Sequence, residues 1–206
     1  MNWIERLPEI KGKDAYSQNG EGIILEYILH HLGISKGSFV DIGSGDGFNL
    51  SNTRHLNNLG WKGLYLDRIT GTDINAANIM SYFVQSPDLV SIDIDGNDYF
   101  ILDKILSHKS PAVIIAEFNA MYTDSRTIKY NPNHEWAGDS YYGFTFEAGK
   151  KLANTHEYNV IFQIADMNMI MVRADLIEGL SIPPVTYKQN DYFKITNRPN
   201  SDWVWI

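Results

Sequence analysis

Four short apolar runs separated by helix-length stretches constrain this chain most: SFVDIG from Ser38, GLYLD from Gly63, LVSIDID from Leu89 and AVIIAEFN from Ala112. Strands covered on both faces need no polar alternation, so such runs alternating with helices predict βα units and a parallel sheet. Each run closes on an acid: Asp41, Asp67, the pair Asp93 and Asp95, and Glu117. In an open doubly wound sheet the carboxyl ends of the strands line one crevice, and ligands bind there. A row of carboxylates at that place calls for a counter-charge: a sulfonium, a divalent metal or several sugar hydroxyls.

Other elements follow from periodicity. Residues 20–32 put Ile23, Ile24, Tyr27, Ile28 and Leu32 on one helical face, with Gly33 as the stop. Further helices are expected over 50–59, 73–83 with Asp73 as cap, 98–106 with Asp98 as cap, and 144–153. Residues 158–173 read as a hairpin turning at 166–168, and the Pro-, Asn- and aromatic-rich end is expected to wrap the domain or a partner. No repeat or linker divides the 206 residues. One domain is expected: a helical lead-in over 1–37, an α/β core over 38–175 and a tail over 176–206.

The 25 acidic residues outnumber 17 Lys plus Arg for a net charge of −8, which disfavours a general grip on nucleic acid or anionic lipid. The absence of cysteine removes disulfides, thiolate zinc and thiol nucleophiles. A charged start without an apolar segment, and no run of 18 apolar residues, lead to the expectation of a cytoplasmic protein with no membrane partner.

The first strand end carries Asp41-Ile42-Gly43-Ser44-Gly45-Asp46-Gly47, a glycine turn that lets the backbone approach a ligand closely. A dinucleotide fingerprint would need glycine where Phe48 stands. The spacing Asp-x-Gly-x-Gly-x-Gly instead resembles motif I of class I S-adenosylmethionine-dependent methyltransferases. YSQNGEGIILEYI at Tyr16, FVDIGSGDGFNLSNT at Phe39, GWKGLYLD at Gly60, LVSIDIDGNDYFI at Leu89, VIIAEFNA at Val113 and YNPNHEW at Tyr130 look like successive blocks of bacterial FkbM-like methyltransferases. The resemblance implies a Rossmann-like fold, S-adenosylmethionine as cofactor and O-methylation of a sugar, glycan or small-metabolite hydroxyl. It also implies that Asp41, Gly43, Ser44, Gly45, Asp46 and Asp93 surround the cofactor. Asp67, 26 positions after Asp41, would bind both ribose hydroxyls.

One departure stands out. Only 20 residues separate Asp67 from Asp88, room for one crossover helix but not for the further strand and helix usual in such enzymes. A sheet shortened by one edge strand is expected, with an adenine pocket partly open or completed by other parts, the tail among them. GLYLD then becomes an edge to be covered or paired, and pairing between two copies would give a homodimer.

The residue pair Asp93 and Asp95, two apart on a strand, should share a face and repel unless a cation or proton sits between them. With Glu117 and Asn119 they could hold Mg²⁺ or Ca²⁺ that orients an acceptor hydroxyl. A glycosyltransferase Asp-x-Asp pair holding a metal and a nucleotide sugar would look similar locally. A haloacid dehalogenase-like phosphatase would need Thr or Val at Asn97 and a later strand ending in Gly-Asp, whereas Gly138-Asp139 follows Trp136-Ala137. Alternatively one acid caps the helix near Asp98 and the other bonds backbone amides, with no metal. A binding module that has lost catalysis is the remaining alternative. His134 in YNPNHEW is the candidate base, and Tyr141, Tyr142 and Trp136 are candidates for a sugar-stacking wall.

Overall fold

The acid-terminated runs become four parallel strands of one sheet. The computed structural model describes residues 1–67 and 71–206. The parallel strands are β1 (Ser38–Ile42), β2 (Lys62–Leu66), β3 (Leu89–Ile92) and β4 (Val113–Glu117). A short strand β5 (Arg126–Ile128) precedes the hairpin of β6 (Tyr158–Ile164) and β7 (Asn168–Arg173), which joins the sheet antiparallel through β7 on β4. The order is β2-β1-β3-β4-β7-β6. This is a mixed α/β fold, mostly parallel with a C-terminal antiparallel hairpin.

Alternation along each strand feeds two apolar layers. Val40, Ile42, Val90, Ile92, Ile114 and Ala116 pack on one face with helices α3 (Asp98–Leu106) and α4 (Phe146–Thr155). Phe39, Leu89, Val113 and Ile115 pack on the other with α1 (Glu21–His31) and Leu56 of the short α2 (Arg54–Asn58). Burying one such side chain contributes about 1.5–3 kcal/mol, so these layers fix the strand ends on which the acids sit.

The expected helix over 73–83 does not form; only a 3-10 turn, Ile79–Tyr82, is present there. Asn75 and Asn78 explain the loss. The Asn75 Oδ1 accepts from the Ala77 and Asn78 amides, while Asn78 bonds the Asn75 amide and the Asp73 carbonyl. These local bonds compete with a helical ladder. The stretch expected as a helix over 50–59 shrinks to α2, because Ser51 and Thr53 are drawn onto Asp41.

Among the described residues no strand lies between β2 and β3 in sequence, so β2 is an edge, with Lys62 and Leu64 exposed. The C-terminal strand β8 (Trp203–Trp205) pairs antiparallel with β5, and Tyr187 packs its ring 4.8 Å from Phe146 and 5.4 Å from Phe118. The tail therefore wraps its own chain. It does not line the cleft at the strand ends; Ile74 does. Among the described residues no helix is long and apolar enough to cross a membrane.

Candidate functional site

The turn leaving β1 is wedged between its neighbours. Gly43 adopts φ +84°, donates its N–H to the Leu66 carbonyl at 2.9 Å, and leaves room of only 1.6 Å between an added Cβ and the Asp93 carbonyl oxygen. Only glycine satisfies both the backbone angle and that approach. Gly43→Ala should therefore destabilise the fold by about 3 kcal/mol or more, read as a lower urea midpoint. Gly45 differs: at φ +56° its Cβ position faces open space, and its N–H donates to Asp67 Oδ2 at 2.9 Å. The loop apex and the acid closing β2 are thus tied together beside an opening.

Not every acid of the loop faces that opening. Asp41 is 3% exposed and accepts from Ser51 Oγ at 3.0 Å and Thr53 Oγ1 at 2.6 Å. Burial pushes its carboxyl up, and the hydroxyls partly offset this. Asp41 therefore braces the loop from behind instead of lining the cleft. Asp46 is exposed and folds its own turn, accepting from the Phe48 and Asn49 amides at 2.8 and 2.7 Å, which hold it below the ordinary carboxylate range. Ser44 is buried, and its hydroxyl has no hydrogen-bond partner among the described residues.

The second group of acids converges. Carboxylate oxygens of Asp93, Asp95 and Glu117 all lie within 4.8 Å of one another. Asp93 and Asp95 do this from a turn, since β3 ends at Ile92 and Asp95 adopts φ +53°, so the expected shared strand face is replaced by a bend. Asp98 lies beneath, fully buried, accepting from the Ile94 amide at 2.9 Å and the Gly96 amide at 2.8 Å. The amide-bonding role considered for Asp93 or Asp95 thus falls to Asp98, which shapes the turn. Among the described residues no lysine, arginine or histidine forms an ion pair with any of the four.

Such crowding changes the protonation of the cluster. Burial first, then the like charges of Asp95 and Asp98, push Asp93 up to about 8; burial and Asp98 push Asp95 to about 6. Glu117, 8% exposed, is pushed well above its usual range by burial and by Asp93, and its Oε2 lacks a hydrogen-bond partner among the described residues. Asn119 does not belong to this group. Its Nδ2 donates to the Ser140 and Tyr142 carbonyls at 3.0 and 3.1 Å and its Oδ1 accepts from the Met121 amide, bonds that hold the side chain in its own loop.

His134 lines the same cleft, its ring close to Gly96 of the acidic turn. A cleft of about 200 Å³ is bounded by Gly43, Asp67, Ile74, Asp93, Asp95 and His134. Its histidine loop is pinned to the acidic turn by a reciprocal pair: Asn97 Nδ2 donates to the Asn131 carbonyl at 2.7 Å, and the Asn131 amide donates to Asn97 Oδ1 at 3.1 Å. Asn97→Ala should release that loop and cost about 1–3 kcal/mol of stability, checked by a denaturant melt. Tyr141 and Tyr142 are 5% and 4% exposed and pack edge-on against Trp203, Trp136 and Phe193, so they are core and form no stacking wall. Sequence reading missed Ile74 and Asn97; for Ser51 and Thr53 a signal existed, since two hydroxyls follow the loop closely.

No protein-family model matches the chain, and no curated protein does. Solved structures resemble it at low similarity. A protein from Streptococcus thermophilus described as a hemolysin is 14% identical, with a TM-score of 0.46 over 81% of this chain and 70% of its own. The glycopeptide N-methyltransferase MtfA, complexed with S-adenosylhomocysteine, is 11% identical, with a TM-score of 0.43 over 81% of this chain and 95% of its own. CalS10, an amino pentose methyltransferase from Micromonospora echinaspora with S-adenosylmethionine bound, is 11% identical, with a TM-score of 0.41 over 84% and 92%. At such similarity the function rests on the site itself.

Proposed function

We propose that the chain is an S-adenosylmethionine-dependent methyltransferase acting on a hydroxyl of a sugar, glycan or small metabolite. The observation that carries this reading is the Gly45 N–H held on Asp67 beside open space, with an acidic cluster that has no ion pair among the described residues at the same cleft. The residues fit the cofactor. Gly45 has room for close backbone approach, the buried Ser44 hydroxyl wants a partner, and Ile74 and Ile94 offer apolar surface. Backbone at Gly43 to Gly45 would hold the amino-acid part, Asp67 the ribose hydroxyls, and Ile74 with Ile94 the adenine. When bound, the cofactor supplies an electrophilic methyl on a sulfonium. Asp93, Asp95 and Glu117 would favour that cation as it displaces the protons they hold, and they are oxygen ligands of the type that Mg²⁺ or Ca²⁺ takes. His134, in the lining of the same cleft, would take the proton from an acceptor hydroxyl.

Thermal shift tests the class of ligand. S-adenosylhomocysteine at about a hundred times its dissociation constant should add about 2.7 kcal/mol to stability. A shift only with a metal and a nucleotide sugar would instead support a glycosyltransferase, and no shift with either would support a binding module.

A further inference from the structure

A second cavity of about 410 Å³ also has His134 in its wall, so the histidine stands between the two. Among the described residues no aliphatic side chain lines it; Lys129, Asn131, Tyr141, Arg198 and Asp202 stand around it. These walls are built rather than loose. The Tyr141 phenol donates to the Asp202 carbonyl at 2.7 Å and accepts the Lys129 N–H at 3.3 Å, while that same amide also donates to the Asp202 carbonyl at 2.8 Å. The Arg198 guanidinium carbon lies 4.3 Å from the Tyr141 ring centroid, and the group is 3.8 Å from the Asp202 carboxylate. Pairing of β8 with β5 is what brings Arg198 and Asp202, 69 and 73 positions beyond Lys129, to this wall.

Charge is distributed unevenly along the two cavities. The first holds Asp67, Asp93 and Asp95; the second sets Lys129 and Arg198 against Glu135 and Asp202, in a chain of net charge −8. Lys129 is exposed and, among the described residues, forms no ion pair. The two acids on the same walls, Glu135 and Asp202, suit hydroxyl donors. We propose that this cavity is the acceptor site, and that it takes a polyhydroxylated molecule carrying a carboxylate or phosphate. Its anionic end meets Lys129 and Arg198, and a hydroxyl reaches His134. An acidic donor end and a far end that offers the cations Lys129 and Arg198 orient such a molecule in one direction. The assignment rests on the methyl-donor reading of the first cavity.

Glucuronate, glucose 1-phosphate and neutral glucose, titrated into the full chain with and without S-adenosylhomocysteine, test it. At least one anionic probe should bind about tenfold or more tightly than glucose. Lys129→Gln and Arg198→Gln should each remove that preference while leaving S-adenosylhomocysteine affinity unchanged, and Arg198→Lys should recover part of it. Whichever anionic probe keeps the advantage identifies carboxylate or phosphate as the recognised group. Equal affinity for charged and neutral probes, no anionic binding below about 10 mM, or a preference that survives both variants would overturn the proposal. Anionic binding through Lys129 and Arg198 without any affinity for S-adenosylhomocysteine would leave the cavity's specificity standing and remove the donor reading alone.

Discussion

Asp67→Ala lowers the affinity for S-adenosylhomocysteine by about 150-fold or more and shifts the melting temperature by only about 3 °C. Two adjacent ribose hydroxyls donating to one carboxylate make two charge-assisted bonds, each worth about 1.5–3 kcal/mol, so losing both removes most of a micromolar affinity. Folding depends on Asp67 less, because the side chain is only half-buried. Asp67→Asn keeps an acceptor for the Gly45 amide while removing the charge, and so separates loop positioning from ribose binding. Its affinity should fall between those of the wild type and the alanine variant in calorimetry. An alanine variant that binds as the wild type does would remove Asp67 from the cofactor site.

Glu117→Gln raises the melting temperature at pH 8 by on the order of 5 °C and changes it little at pH 4. The sign follows from the acids' folded-state pKa values, which lie above those of the unfolded chain: Asp93 at about 8, Asp95 at about 6 and Glu117 well above its ordinary range. The native state therefore holds more protons than the unfolded state across roughly pH 4 to 8, and stability from this cluster falls as pH rises through that window. Removing one carboxylate relieves the repulsion where it is largest. A bound cation does the same, so Mg²⁺, Ca²⁺ or a sulfonium should stabilise the wild type more at pH 8 than at pH 5, and the variant less than the wild type at either. Melting curves that are flat with pH in the wild type would mean that the cluster does not titrate in this way.

Much of the architecture was legible because it rests on local apolar pattern. The strand ends fall at Ile42, Leu66, Ile92 and Glu117, and the short interval after Asp67 agrees with the lack of a strand between β2 and β3 among the described residues. Side-chain chemistry that competes with the backbone was harder to foresee. Asn75 and Asn78 spoil an expected helix through bonds to their own neighbours, and Asp41 is occupied by hydroxyls ten and twelve residues away. Long-range partners were not legible at all. The pairing of β5 with β8 spans over seventy residues and uses three-residue strands that carry almost no periodic signal, so the place of Arg198 beside Lys129 has no trace in local sequence. For the acids the outcome is divided. Asp93, Asp95 and Glu117 meet as their strand ends suggest, yet a bend at Asp95 brings them together, and Asn119 is spent on carbonyls one loop away.

Calorimetric titration of S-adenosylhomocysteine into the wild-type chain is the most direct measurement. The glycine turn and Asp67 require one saturable site per chain with a dissociation constant in the micromolar range, about −8 kcal/mol. Absence of heat at about 1 mM ligand at two temperatures, with no change in melting point, would mean that the hollow at the end of β1 was not shaped for an adenosyl amino acid.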